Sequence, residues 1–281
     1  MEASYVTPPV AYPGPPGSHT ASAAAALHPL DTLVPLPGFR AVADAVVAAE
    51  VGHGVLPIES SLAGAVAETH DLLYERALSI VGETVLPIRH CLAARDAIPL
   101  DEIRIVRSHP MALDQCRELL AQLSQAKVIM SATTAEAGQH VAEDGDPTEA
   151  AIVGAEAVSL YGLTVLVDDV SDSPAFTRFV SIAPYTRIDR VRAARTAFTF
   201  ATHHKPGALH AAIEPFARAG LDLVRLVSRP LPATPWKYRF DAVVAGHPLD
   251  PSVRGALREL EAATRELRVV GVYEGHEEQA S

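Results

Sequence analysis

The sequence predicts an α/β protein: a bilobed, doubly wound domain over residues 9–185, followed by a βαββαβ module over 195–274. Three observations lead there. Apolar runs of strand length alternate with stretches whose apolar residues recur at helical spacing. Two long apolar runs in succession, 78–86 and 88–94, interrupt the alternation and suggest a crossing towards a second lobe, with a cleft between the lobes. After residue 194 the order becomes strand, helix, strand, strand, helix, strand, that of a ferredoxin-like unit.

With 281 residues and 48% hydrophobic content, the chain can bury a full core across two domains. Its formal charge of −11, its only lysines at Lys127, Lys205 and Lys237, and the lack of a basic cluster argue against a nucleic-acid partner. Two cysteines, Cys91 and Cys116, form neither a disulfide framework nor a zinc quartet, which fits a reduced, cytoplasmic setting. No Lys or Arg precedes Arg40, so a targeting peptide would lack its positive region. No apolar run approaches membrane-spanning length, and no membrane partner is expected.

Residues 1–8 read as a loose leader. Val10-Ala11-Tyr12 forms a short strand, and Pro13-Gly-Pro-Pro-Gly17 a turn through which neither helix nor strand continues. Ser18-His19-Thr20 then opens an alanine-rich helix to about Leu27. A strand, a glycine turn and a helix start expose unpaired backbone N–H groups, an anion site that needs no dedicated cation. A strand at 32–35 and a helix at 39–50 follow. A buried strand at 53–58 runs into the small-polar loop 59–64, before a helix at 66–74. Beyond the two long runs, a strand at 103–107 delivers Ser108-His109-Pro110, where the proline starts a helix with Met111, Leu113, Leu119 and Leu120 inward. Gln115 and Cys116 lie one turn in. A strand at 128–130 precedes a capping box of Thr133 and Glu136. A strand at 150–153, a helix at 156–161 stopped by Gly162, and a strand at 164–167 complete the second lobe.

The stretch Ser173-Pro-Ala-Phe-Thr-Arg-Phe-Val180 starts a strand over 176–182, in which Thr177 and Arg178 point to opposite faces because side chains alternate. Residues 186–194 form a linker. The module contributes strands at 197–201, 221–228, 238–244 and 267–273, with helices between Lys205 and Gly220 and over 251–264. Trp236 is expected to anchor its loop into the strand at Tyr238, and the acidic tail from Glu274 to fray.

Five motifs, in order and spacing, resemble prephenate dehydratase. Ala11-Tyr-Pro-Gly-Pro-Pro-Gly-Ser-His-Thr20 is similar to that family's opening glycine motif, and Gly54-Val-Leu-Pro-Ile-Glu-Ser-Ser-Leu-Ala-Gly64 to its Pro-Ile-Glu-Asn-Ser loop. Arg107-Ser-His-Pro-Met-Ala-Leu-Asp-Gln-Cys116 matches its Ser-His-Pro helix start, with Tyr161-Gly162-Leu163 and Thr177-Arg178-Phe179 completing the set. Gly207-Ala-Leu209 and Ser228-Arg229-Pro230 resemble the amino-acid-binding motifs of the regulatory ACT domain. The chain departs from the family at Ser60 and Ala175, where Asn is usual, at His19 for Phe, and at Val227 for Glu.

The resemblance implies a periplasmic-binding-protein-like catalytic domain that converts prephenate to phenylpyruvate in L-phenylalanine biosynthesis, losing water and carbon dioxide, with no metal or organic cofactor. Thr177 is implied as hydrogen-bond donor to the leaving oxygen; a threonine hydroxyl is a poor acid, so the bond strengthens as charge develops. Arg178 and the helix starts after Gly17 and Ser108, including Ser18 and His109, are natural seats for the two carboxylates. Gln115 and Ser60 are expected to orient the ring, with Phe179 beside it. Glu59 reads as structural, because burying it beside a dianion is costly. Gly207, Ala208, Leu209, Ser228, Arg229 and Pro230 are expected to take L-phenylalanine as allosteric effector at a contact between subunits, in a homodimer or homotetramer. Outside the motifs, His109 also suits a helix-start hydrogen bonder, and Cys116 a packed thiol. Two other classes stay open: a decarboxylase that keeps the ring hydroxyl, and a non-catalytic amino-acid sensor.

Overall fold

Two β-sheets carry the two lobes, and the larger continues without a break into the C-terminal module. The computed structural model describes residues 8–184, 188–232 and 234–275. Most of the expected leader, residues 185–187 at the expected end of the first domain and start of the linker, and the tail beyond 275 lie outside the described residues.

The first lobe contains β1 (Val10–Pro13), α1 (His19–Leu27), β2 (Leu33–Leu36), α2 (Phe39–Val47), β3 (His53–Ser60), the short β4 (Gly64–Ala65), α3 (Ala67–Glu75) and β5 (Ser79–Ile88). The second holds β6 (Cys91–Ala94), β7 (Ile105–Ser108), α4 (Pro110–Asp114), α5 (Arg117–Gln122), β8 (Lys127–Met130), α6 (Thr134–Glu143), β9 (Glu149–Val153), α7 (Ala155–Tyr161) and β10 (Thr164–Val167). Strand β11 (Ala175–Ala183) returns to the first lobe. The module follows as β12 (Ala194–Thr202), α8 (Ala208–Arg218), β13 (Leu223–Pro230), β14 (Tyr238–Ala245), α9 (Pro251–Ala263) and β15 (Thr264–Glu274).

In the large sheet the order is β13-β14-β12-β15-β5-β11-β3-β1-β2, with β4 on β3; the smaller runs β10-β6-β9-β7-β8. Strands β1, β2 and β3 are parallel, as short βα crossovers dictate, while the returning β11 lies antiparallel between β3 and β5. The module meets the first lobe at one parallel pair, Gly271 with Ile80. Glycine is required there, because a Cβ on residue 271 would run into the Ile80 carbonyl. One apolar core spans that junction, uniting Leu56, Ile58, Leu72 and Val180 with Ala197, Val243, Val270 and Tyr273. Cys91 and Cys116 are buried in the second lobe, and burial pushes their thiols up to about 11 and about 12, so both are inert at neutral pH.

Some expectations are revised. Of the two long apolar runs, the first stays wholly in the large sheet. Only the second, shortened to β6, enters the other lobe, so the crossing is made at Arg89 and His90. The single helix expected after Pro110 is broken at Gln115 and Cys116 into α4 and α5, and Met111 is 44% exposed rather than inward. Trp236 is 82% exposed in a left-handed conformation (φ 62°), so among the described residues it is not the buried anchor expected.

Candidate active site

A cleft of about 430 Å³ opens between the lobes. Its floor is the large sheet, where Ala175, Thr177 and Phe179 project from β11 on one face, beside Ser60 at the end of β3. Thr177 and Ser60 are directly paired across the ladder. Ser60 is buried, and its Oγ accepts the N–H groups of Leu62 and Ala63 at 3.3 Å each. That turn holds the hydroxyl in place and leaves its own O–H to donate elsewhere.

Helix starts form the walls. Ser18, His19 and Thr20 open α1; Gly38 and Phe39 open α2; Thr133 and Thr134 open α6. Ser18 Oγ accepts from Ala21 N at 3.2 Å, and Thr133 Oγ1 from Glu136 N at 3.0 Å. Glu136 Oε2 in turn accepts at 2.9 Å from Ala132 N, one residue before the cap, so the reciprocal bond reaches past Thr133 and the expected capping box is a variant of the standard one. Gly38 caps α2 without a side chain. Each cap satisfies only part of the first turn, so the remaining N–H groups of three helices converge on one space. No Arg, Lys, Asp or Glu is among the described residues lining the cleft. Backbone dipoles are therefore its source of positive potential.

Three imidazoles also line the cleft. His90, at the hinge, is 3% exposed, and its Nε2 lies 3.1 Å from Gln115 Oε1. A carboxamide oxygen only accepts, so Nε2 carries the proton, and the Gln115 NH₂ is left as the donor end. His90 Nδ1 is buried without a hydrogen-bond partner among the described residues. Burial, with the His19 and His109 rings nearby, lowers the His90 pKa to about 4, so the ring is neutral at physiological pH. His19 stands edge-on to it, ring centroids 5.7 Å apart, and burial lowers its pKa too. His109 caps α4 by accepting Met111 N at 3.2 Å.

Gln115, Ser60, Thr177, Phe179, Ser18 and His109 all come together in the cleft. Three expected residues do not. Arg178 points to the opposite face of β11, where its guanidinium meets Glu83 Oε1 at 2.7 Å and Glu59 Oε2 at 3.3 Å. Side-chain alternation puts it there, and it does not line the cleft. Ser108 is fully buried and donates to the Ile152 carbonyl at 2.6 Å, inside the second lobe. Gly17 (φ 79°) packs on α7, where a Cβ would lie 3.1 Å from Ala157 Cα. Its role is the close approach of the lobes, which Tyr161 Oη reinforces by donating to the Pro16 carbonyl at 2.9 Å. Sequence reasoning missed His90, Thr133 and Gly38. The one available signal for His90 was the polar break at Arg89-His90 between two apolar runs.

In the module, Gly207, Ala208 and Leu209 line a separate cavity of about 550 Å³ together with Lys205, Lys237 and Arg265. Ser228, Arg229 and Pro230 lie on β13 outside it. Arg229 forks onto Asp71 of α3 with contacts of 3.1 and 2.6 Å, so within one chain it serves the junction. The two motifs do not meet in a single subunit.

Fold and site together define a two-lobed α/β protein whose cleft is lined by helix starts and hydroxyl groups. The sequence profile of the prephenate dehydratase family matches residues 10–186. Among curated proteins, an arogenate dehydratase/prephenate dehydratase 2 of Arabidopsis thaliana is 34% identical over 275 residues, 94% of this chain and 72% of that one. A bifunctional chorismate mutase/prephenate dehydratase of Stutzerimonas stutzeri is 35% identical over 273 residues, again 94% and 72%. Among solved structures, the prephenate dehydratase of Arthrobacter aurescens in complex with L-Phe superposes with a TM-score of 0.85 at 30% identity, covering 95% of this chain and 90% of that one. A protein described as a novel type of quorum quenching acylase superposes at 0.87 with 32% identity, covering 95% and 98%. The chain belongs to the prephenate dehydratase family.

Proposed function

We propose that the cleft converts prephenate to phenylpyruvate. The single observation that supports this most is the Thr177 hydroxyl on the floor of a cleft walled by helix starts and lined by no described acidic or cationic side chain. Prephenate carries two carboxylates, which the N–H groups opening α1, α2 and α6 suit. As the ring carboxyl leaves as carbon dioxide, its bonding electrons enter the ring and the C–O bond breaks. The departing oxygen takes up a proton that comes ultimately from solvent and leaves as water. Thr177, with Ser60 paired beside it, donates a hydrogen bond that strengthens as charge builds on that oxygen. Gln115, its oxygen occupied by His90, presents its NH₂ to the substrate. Phe179 lies against the ring, and Arg178 supports the floor from beneath.

The relatives include arogenate dehydratases. Arogenate bears an α-ammonium where prephenate has a keto oxygen. A cleft without a described carboxylate has no charged partner for that ammonium, so prephenate is the better substrate. A hydroxyl–imidazole–carboxylate chain, Ser181 Oγ to His28 Nε2 at 2.8 Å and His28 Nδ1 to Asp31 Oδ2 at 3.2 Å, does exist elsewhere. Ser181 is only 2% exposed in mid-strand and lines no part of the cleft, so that chain reads as structural and gives no support to acyl transfer.

The finer assignments belong to the same reading. The enzyme is a decarboxylating carbon–oxygen lyase and works in the cytoplasm; among the described residues no helix is long and apolar enough to cross a membrane. Residues 195–274 act as an ACT domain. L-Phenylalanine binds at the start of α8, and a second subunit supplies Ser228, Arg229 and Pro230 across a dimer contact. The test is incubation of the purified chain with prephenate and with arogenate, following product absorbance and identifying the products. Phenylpyruvate and carbon dioxide from prephenate, at a higher kcat/KM than arogenate turnover, is the expected result. Retention of the ring hydroxyl would make the protein a decarboxylase, and no turnover of either would leave the sensor class.

A further inference from the structure

The underside of the active-site floor carries a charge cluster built from both domains. Directly beneath the Thr177–Ser60 pair, the next ladder position pairs Arg178 with Glu59, so each hydroxyl-bearing residue has a cluster member as its chain neighbour. Arg178 reaches Glu83 on β5 at 2.7 Å. Glu83 has a side chain only 1% exposed and also accepts Arg195 Nη1, from β12 of the module, at 2.7 Å. Tyr273 Oη, from β15, lies 3.3 Å from its second oxygen. Arg225, from β13, approaches Glu59 Oε2 at 3.9 Å. The cluster sits beside the contact where Gly271 abuts Ile80, which leaves no room for the module to shift without moving these groups.

We infer that Glu83 is a positioning residue, which holds the Thr177–Ser60 pair in register by fixing Arg178 from below, and does so only while the C-terminal module stays docked. The physical basis is the stiffness of a buried, charge-assisted network. The Glu83 carboxylate at its centre is only 1% exposed and has little water to fall back on, so loss of one partner forces the others to reorient. The nearest mover is Arg178, one residue from the catalytic hydroxyl. Module displacement is thereby converted into displacement of the donor. This inference rests on the reading of Thr177 as the donor in dehydration.

The experiment uses the full chain and five variants. Glu83→Gln and Arg195→Gln break the cluster, and Tyr273→Phe removes a single hydroxyl should the first two fold poorly. Arg268→Gln is the control: Arg268 of β15 also crosses the junction, donating to the Leu73 carbonyl at 2.9 Å, but touches no cluster member. Two readouts are taken, steady-state kinetics with prephenate and amide hydrogen exchange along β11. We expect the cluster variants to lower kcat about tenfold with KM within about twofold, the pattern of a lost transition-state interaction. Exchange across residues 175–183 should quicken about tenfold, while β9 in the second lobe is unchanged. Arg195→Lys should restore part of both. Kinetics and exchange that match the Arg268→Gln control would overturn the inference. The exchange readout needs no turnover, so an inactive wild-type chain would refute the dehydratase reading while the role of Glu83 is still decided.

Discussion

The cleft and the domain junction solve opposite problems with opposite materials. The cleft must take up and release a dianion, yet no described Arg, Lys, Asp or Glu lines it. The junction must hold one docking geometry, and it is dense with charge: Glu83 with Arg178 and Arg195, and Asp71 with Arg229 and Arg239. Although burial opposes it, those two guanidiniums hold the Asp71 carboxyl below its usual range. Fixed backbone dipoles suit a ligand that comes and goes, because they need no rearrangement and leave no orphaned side-chain charge when the cleft is empty. Ion pairs suit the interface, where at the buried Glu83 losing one partner costs about 3–5 kcal/mol and a single docking geometry is enforced.

The comparison breaks most sharply at Thr177, which belongs to the cleft. Thr177→Ala should lower kcat by about 10²–10³-fold, the scale of one transition-state donor, and Thr177→Ser should retain part of the rate. A Thr177→Ala enzyme nearly as fast as wild type would remove the catalytic reading of the cleft.

His90 offers a test through stability. Its folded value of about 4 lies below the ordinary imidazole value, so the unfolded chain binds this proton first as pH falls. The contribution of His90 is complete above about pH 6.5 and is lost as pH falls towards 4, up to about 3 kcal/mol. Thermal midpoints measured from pH 7 to pH 4 should fall less steeply in His90→Asn than in wild type. The slope should shrink rather than vanish, because His19 and His109 are shifted in the same direction. Equal slopes would mean that the ring is charged or solvated in the native state.

Arg178 separates the two regions most directly, since its neighbour serves the other one. Sequence reasoning places it on a substrate carboxylate, which would make Arg178→Lys raise KM. Its position beneath the sheet instead predicts a kcat loss of about tenfold with KM little changed. A raised KM at unchanged kcat would return the side chain to the substrate.

The smallest effect belongs to the module. Calorimetric titration with L-phenylalanine, with and without a substrate analogue, should show reciprocal weakening of about 1 kcal/mol, at the low end for allosteric coupling. Val227, standing where the family usually has an acid, is the reason to expect weak binding. No heat at millimolar phenylalanine would retire the sensor role. Heat without inhibition would mean that the pocket has outlived its coupling.

Local patterns determined much of this protein without help. Alternation of strands and helices, the glycine turn before α1, the Thr133 cap on Glu136 N and the βαββαβ order are all short-range features, each set by residues within a few positions. The opposed faces of Thr177 and Arg178 were equally legible, since strand periodicity needs no tertiary information. What that periodicity could not say is which face is the cleft. That depended on β11 lying antiparallel between β3 and β5, with the second lobe above and the module below. His90 became a site residue only when the chain crossed between lobes there and the break after α4 turned Gln115 towards it, 25 positions away. Arg229 found Asp71 across 158 positions, and Arg195 found Glu83 across 112. Contacts of that reach are chosen by how whole elements pack, and no local run of residues encodes them.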